Sequence, residues 1–327
     1  MGFRVVAVAV CVFASLVSFA QQDAQSPPPS SPPESITTST LETPPSAETP
    51  IPKLDLTPGP NGKLSQEQMQ QLLHVVADKD MENDKLLHDY TYIERDVQHN
   101  LDGKGNTKST EIKTYEVLEI YGEQVQRLIE KDDKPLSAKE AAKEEEKIQK
   151  VIDKRRNESE EDRRKREAKQ EKEREDGRKF VKEVADAYNF TLVGTELVDG
   201  REAWVIDGEP RPGFEPHMKE AKFLSKFRGR VWIDKGDLQL SKMNVECLDT
   251  ISWGLFLARV HKGTRVTLEQ TRVNDEVWLP RQLSAKVDVR LALLKNFNVD
   301  FENSYRDYKK FRTSTRIVGM SEVKEEK

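Results

Sequence analysis

Residues 286–305 read KVDVRLALLKNFNVDFENSY, and their reading decides the fold class. Val287, Val289, Leu291 and Leu293 alternate with Lys286, Asp288, Arg290 and Ala292. In the next run Phe297, Val299, Phe301 and Tyr305 take one side, and Asn298, Asp300 and Glu302 the other. A period of two with one apolar face is the pattern of an antiparallel strand covered on one side and solvated on the other. Upstream, residues 190–198 and 202–207 flank Asp199-Gly200, a hairpin signal. Residues 230–234 and 238–247 flank Lys235-Gly236-Asp237, and 264–273 leads through Asn274-Asp275 into 277–279. Prolines 210, 212 and 216 mark 209–222 as a loop. The connections are too short for helical crossovers, which excludes a parallel sheet.

The N-terminal part of the same unit mixes both periods. Ser65 and Gln68 have capping-box spacing, and Met69, Leu72, Leu73, Val76 and Ala77 follow at helical intervals. Strand-like sequence begins near Leu87, with a turn at Gly103-Lys104-Gly105-Asn106 and further runs over about 110–121 and 124–131. No helix follows this Gly-x-Gly, so it is a turn and not a phosphate loop.

Composition excludes one compact globule of the full length. The 327 residues are 35% hydrophobic and 34% charged. Their mean hydropathy is -0.75. Most of the excess charge is local. Residues 139–179 hold 16 basic and 14 acidic side chains in 41 positions. Pairs such as Glu146 with Lys150 and Glu161 with Lys165 recur at i,i+4, each worth about 0.2–0.5 kcal/mol to an isolated helix. Only Ile148, Val151 and Ile152 are large and apolar there, too few for a coiled-coil seam. A self-supporting solvated helix, capped by Ser137 and running toward Tyr188, is expected. The net charge of -5 argues against a nucleic-acid partner, and the interleaved acids cancel most of an RNA-binding attraction.

The leader carries a third kind of sequence. Arg4, the apolar stretch from Val5 to Leu16, and Ser18-Phe19-Ala20 read as a signal peptide over 1–20, too short to span a membrane. Cys11 lacks the preceding small residue of a lipidation site. The mature chain then keeps only Cys247 and has no transmembrane segment. Residues 21–62 hold 11 of the 16 prolines and read as an extended, disordered linker. The expected organisation continues with helix and early strands over 63–136, the charged helix over 137–187, the remaining strands over 188–320 and a charged tail over 321–327.

One combination of motifs resembles a known family. Gly229-Arg230-Val231-Trp232-Ile233-Asp234-Lys235 is followed by Leu240-Ser241-Lys242-Met243, then Arg265-Val266-Thr267-Leu268-Glu269 and Val277-Trp278-Leu279-Pro280. This spacing resembles bacterial outer-membrane lipoprotein-sorting proteins of the LolA/LolB-like superfamily, over about residues 86–131 and 188–312. The resemblance implies an α+β fold: a curved antiparallel sheet, an unclosed half-barrel, with helices across its concave face. It also implies a periplasmic or outer-membrane-associated location, and a lipid or lipoprotein acyl chain as ligand. The Pro-rich leader and the charged insertion depart from the family pattern.

The residues support the same site. A curved sheet under helices can enclose an apolar cavity, and an acyl chain gains about 0.8 kcal/mol per buried CH₂. Candidate lining residues are Trp253, Leu255, Leu257, Val287, Val289, Leu291, Phe297 and Phe301, with plain core packing as each one's other role. Trp253-Gly254-Leu255-Phe256-Leu257 is the strongest, because its apolar residues occupy both faces of a strand. No catalytic constellation, metal site or cofactor motif is found, so no enzyme is expected. His74, His88, His99, His217 and His261 are scattered, and Asp234 suits a turn better than a catalytic acid. The competing function is a structural or interaction protein using 137–187 as a spacer or docking arm for a cell-envelope protein.

Overall fold

In the computed structural model, residues 55–57, 59–60, 64–253, 258–291 and 295–311 are described. The expected signal peptide, most of the linker and the charged tail lie outside them. One antiparallel sheet runs through the molecule, with strands β1 (Tyr90–Leu101), β2 (Thr107–Ile120), β3 (Glu123–Lys131), β4 (Lys134–Pro135), β5 (Tyr188–Val198) and β6 (Arg201–Pro210). It continues with β7 (Phe227–Asp234), β8 (Leu240–Cys247), β9 (Ile251–Trp253), β10 (Ala258–Val260), β11 (Arg265–Val273), β12 (Val277–Leu291) and β13 (Lys295–Lys310). The order is β4-β3-β2-β1-β13-β12-β11-β8-β7-β6-β5, with β10 beside both β12 and β9. The two ends do not meet, so the sheet is an unclosed half-barrel in an α+β fold.

The stretch 286–305 becomes the hairpin of β12 and β13, the two longest strands. Val287 pairs with Val299, and Ala285 with Phe301. β1 then pairs with β13, closing a sequence separation of some two hundred residues. Asp199 and Gly200 both take positive φ (50° and 78°), as a two-residue turn between right-twisted strands requires.

Helix α1 (Gln66–Leu87) lies across one face of the sheet. Its capping box forms as the spacing predicts: the Gln68 N–H donates to Ser65 Oγ at 3.2 Å, and the Ser65 N–H donates to Gln68 Oε1 at 2.8 Å. The helix runs ten residues beyond Ala77, through Leu87, where strand was expected to begin. Its later turns stay buried at Asp80, Asn83 and Leu87. Met69, Leu72 and Val76 enter a core with Tyr90, Ile206, Ile233, Met243, Leu268, Leu279 and Val287. Asn83 fixes the far end, taking the Trp278 backbone N–H at 2.6 Å and donating to the Trp278 carbonyl.

The charged segment differs from the single helix expected over 137–187. It is two helices, α2 (Ala138–Arg156) and α3 (Glu160–Ala187), separated at Asn157-Glu158-Ser159. Ser159 Oγ accepts the Asp162 N–H at 3.1 Å, and Glu160, Glu161 and Asp162 fill the first turn of α3. Acids there favour a new helix start over continuation, through the helix dipole. Neither helix is free of the body. α2 buries Ile148 and Ile152 against Ile120, Leu118 and Val125 at the β2–β3 side of the sheet. α3 buries Phe180 and Ala187 against Tyr188, Ala221 and Leu224 of a short 3-10 helix over Glu220–Lys226. Sparse apolar residues thus anchor a surface that is otherwise ion pairs.

The motif residues are structural. Arg201 clamps Asp234 with Nε–Oδ2 at 2.7 Å and Nη2–Oδ1 at 2.8 Å. Asp234 Oδ1 also takes the backbone N–H groups of Gly236 (3.0 Å) and Asp237 (2.7 Å), which makes it the turn-former the sequence suggests. The Arg201 guanidinium sits 5.5 Å from the Trp278 ring centroid, and Trp278 Nε1 donates to Asp237 at 2.9 Å. One Trp-Asp-Arg assembly therefore locks the β7–β8 turn to the start of β12.

Candidate functional site

Two glycines make a hollow in the α1-facing side of the sheet. Gly208 of β6 lies directly opposite Gly229 of β7, so two adjacent strands lack side chains at one level. The ring of Phe190 rests on Gly208: a Cβ there would stand 3.1 Å from its Cε1. At Gly229 a Cβ would meet only Asn244 O at 3.5 Å and Val245 Cγ2 at 3.9 Å. Above this floor stand Phe180 and Val184 of α3, Tyr188 of β5, Leu224 of the 3-10 helix and Phe227 at the start of β7. Ile206, Val231, Met243 and Val245 complete an apolar cavity of about 100 Å³, with Arg228 also lining it.

Few polar contacts hold the cover. Tyr188 Oη donates to the Leu224 carbonyl at 2.8 Å, which ties the 3-10 helix to β5; burial pushes the phenol well above its usual range. Glu183 of α3 accepts the backbone N–H groups of His217 and Met218, pinning the 211–219 loop. The Gln66 amide joins the start of α1 to β5: Nε2 donates to the Tyr188 carbonyl and Oε1 takes the Phe190 N–H, both at 3.2 Å. The end of α3 and the 3-10 helix thus cover the hollow, and the start of α1 is tied to β5 beside it, each by a few hydrogen bonds.

Of the eight sequence-derived candidates, Val287 and Phe301 are the two whose side chains are described, and neither lines this cavity. Val287 is buried in the main core, and Phe301 is partly buried against it. Leu255 and Leu257 lie outside the described residues. The other four are placed by backbone register: Val289 opposite Val260 and Phe297, and Leu291 and Trp253 each opposite Ala258. They nevertheless belong to the same end of the sheet as the hollow, because β9 continues β8 after Cys247. The signal that could have found the hollow was present in Asp207-Gly208 and Arg228-Gly229-Arg230: a lone glycine inside an alternating strand.

The remaining chemistry is dispersed. Among the described residues no group of three His, Cys, Asp or Glu is placed to hold a metal ion. His88 approaches Glu119 at 3.2 Å, and His99 pairs with Thr110 at 2.7 Å, far apart on β1 and before it. Cys247 is buried, with Sγ donating to the Asp249 carbonyl at 3.0 Å, and burial raises its pKa. One polar pair sits beside the core: Asn303 Nδ2 donates to Glu94 at 3.1 Å and to Asp96 at 2.8 Å. Burial, reinforced by the Glu94 charge, pushes Asp96 up to about 7.

No family model matches the chain, and no curated protein matches it. Among solved structures it is similar to an outer membrane lipoprotein-sorting protein domain from Vibrio parahaemolyticus: 11% identity over 72% of this chain and 92% of that one, TM-score 0.30. It is also similar to a LolA superfamily protein from Nitrosomonas europaea, with 10% identity over 73% and 94% of the two chains and a TM-score of 0.30. A third likeness is to MucB, solved in complex with MucA, with 12% identity over 71% and 94% and a TM-score of 0.20.

Proposed function

We propose that this chain is a periplasmic binding protein that takes a lipid or lipoprotein acyl chain under the end of α3 and the 3-10 helix, entering through the hollow over Gly208 and Gly229. The observation that carries the reading is the apolar cavity itself, seated where two strands omit their side chains and the end of α3 and the 3-10 helix form the cover. Magnitude decides how it must work. A volume of about 100 Å³ holds only a few CH₂ groups, taking roughly 30 Å³ for a small molecule such as water as the measure. At about 0.8 kcal/mol per CH₂ that is roughly 2–3 kcal/mol, whereas micromolar affinity needs about 8 kcal/mol. The cavity as it stands therefore takes the end of the chain first. The 3-10 helix and the start of α1 then move to admit the rest. Trp253, Leu255, Leu257, Val287, Val289, Leu291, Phe297 and Phe301 are assigned to the widened part, at the end of the sheet where β9 and the β12–β13 hairpin emerge. The signal-like sequence of residues 1–20, a positive start before an apolar stretch, supports export to the envelope.

Titration of the mature protein with a fluorescent fatty acid tests this. Saturable uptake that is lost in Gly229→Leu, with an unchanged melting temperature, is the expected result. Uptake that Gly229→Leu leaves intact would remove the hollow from the account. Absence of uptake, with no lipid co-purifying by mass spectrometry, would remove the acyl ligand.

A further inference from the structure

The junction of α2 and α3 closes a second cavity, of about 570 Å³, against the Tyr121-Gly122 turn and the end of α1. Its lining is cationic in a chain whose net charge is -5: Lys85, Arg155, Arg156, Arg163, Arg166 and Arg174 face two carboxylates, Glu158 and Glu167. The cations divide into two groups. Arg155 is committed to Glu123, with Nη2 at 2.6 and 2.5 Å from its two oxygens, and Arg166 Nη2 to Glu158 at 2.9 Å. Their side chains are only 15% and 16% exposed, so these pairs build the wall and keep it rigid. The other group is open to a ligand. Arg163 and Lys85 make no ion pair among the described residues. Arg156 reaches Asp153 only at 3.8 Å with both side chains half exposed, and Arg174 meets Glu171 at 3.2 Å at the surface.

We propose that this crevice is a binding site for a phosphate-bearing anion, independent of the acyl site. Arginine presents a planar fork of donors that matches phosphate oxygens bidentately, and here several forks converge on one concavity of ordinary ligand size. The like-charged side chains repel one another when the crevice is empty, so a multiply charged anion gains more than a single carboxylate would. Arg155 and Arg166 hold the walls through Glu123 and Glu158, while Arg163 and Lys85 supply the uncommitted charge. The site lies in the segment that sets this sequence apart from the family pattern, and it has no counterpart in the acyl reading. The phosphate can be a soluble pyrophosphate or the headgroup of an anionic phospholipid.

Isothermal titration of the whole mature chain with pyrophosphate, and co-flotation with phosphatidylcholine vesicles with and without phosphatidic acid, distinguish these sources. Saturable pyrophosphate binding identifies a soluble phosphate. Flotation that requires phosphatidic acid, without pyrophosphate binding, identifies a headgroup. In either case Lys85→Ala with Arg163→Ala lowers affinity about a hundredfold, roughly tenfold per charge-assisted contact removed. Arg164→Ala is the matched control on the same helix: it is absent from the lining and its only described ion pair is with Glu160, at 3.8 Å and fully exposed to solvent screening. It should bind as the parent does. Equal loss in that control, or no binding to either probe, overturns the proposal. Gly229→Leu should retain anion binding, which separates this site's failure from that of the acyl site.

Discussion

The first half of α3 and its last turns meet the rest of the molecule through opposite chemistries. From Arg163 to Arg174 the helix touches the body through guanidinium groups, around a water-accessible crevice. From Phe180 to Ala187 it touches through an aromatic ring and aliphatic carbon, over a cavity almost devoid of polar atoms. The same helix therefore serves two surfaces that respond to different variables. Contacts in the first half weaken with salt and cost little when lost singly. Those at the second end depend on close packing and are insensitive to salt. Charge density marks the helix in the sequence, but a handful of apolar side chains decides where it lies.

The largest effect expected is at the apolar end. Phe180→Ala removes a buried ring and should cost about 3–4 kcal/mol, seen as a lowered denaturant midpoint with salt-independent magnitude. A loss under about 1 kcal/mol would mean that α3 is held by its charges after all. The Asp96 site gives the next largest effect, and its sign follows from the raised pKa. The folded state holds the proton up to about pH 7, whereas an unfolded aspartate releases it near 4. The contribution of Asp96 is thus most favourable at acid pH and falls as pH rises from about 4 to about 7. Asp96→Asn should remove that slope and stabilise the protein at pH 8 by about 1–3 kcal/mol, read by urea unfolding across pH. A parallel pH profile in the variant would show that Asp96 is ordinary.

Smaller again is the ionic wall. Arg155→Ala should cost about 1–2 kcal/mol, because it breaks a pair with Glu123 that is mostly shielded from solvent, and should loosen the Tyr121-Gly122 turn. Raised amide exchange confined to the β2–β3 turn and the α2–α3 junction would localise the effect. Unchanged exchange there would place the helix junction under other control. The smallest effect belongs to Lys165→Ala, whose partner Glu161 is as exposed as it is. Its melting temperature should stay within what about 0.5 kcal/mol produces, and a larger drop would contradict the picture of a surface carrying charge without strength.

Period-two alternation made the β12–β13 strands readable in the sequence, and Asp199-Gly200 and Asn274-Asp275 made two of the turns readable. Ser65, Ser137 and Asp234 were readable because capping and turn geometry depend on neighbours a few positions away. The break at residues 157–159 was not. Ser159 with three following acids is an N-cap signal, but the uniform charge around it looks like continuous helix at every i,i+4 spacing. The hollow was missed for the converse reason. Gly208 and Gly229 lie 21 positions apart, and only strand pairing sets them side by side. A cavity defined by missing side chains leaves no run of residues to notice, whereas the apolar stretch around Trp253 does.

Gln66 has a consequence for how the molecule meets copies of itself. Its amide receives the Phe190 N–H and donates to the Tyr188 carbonyl, so it takes the place one residue of a further strand would occupy. β5 is the last strand of its side of the sheet, and Val193 and Leu197 stand exposed on it. An unprotected border of this kind invites stacking of chains into ribbons. By occupying the first rung, one glutamine shortens the length over which another chain can zip on, and the bulge at Leu192/Gly194 bends the rest of that border.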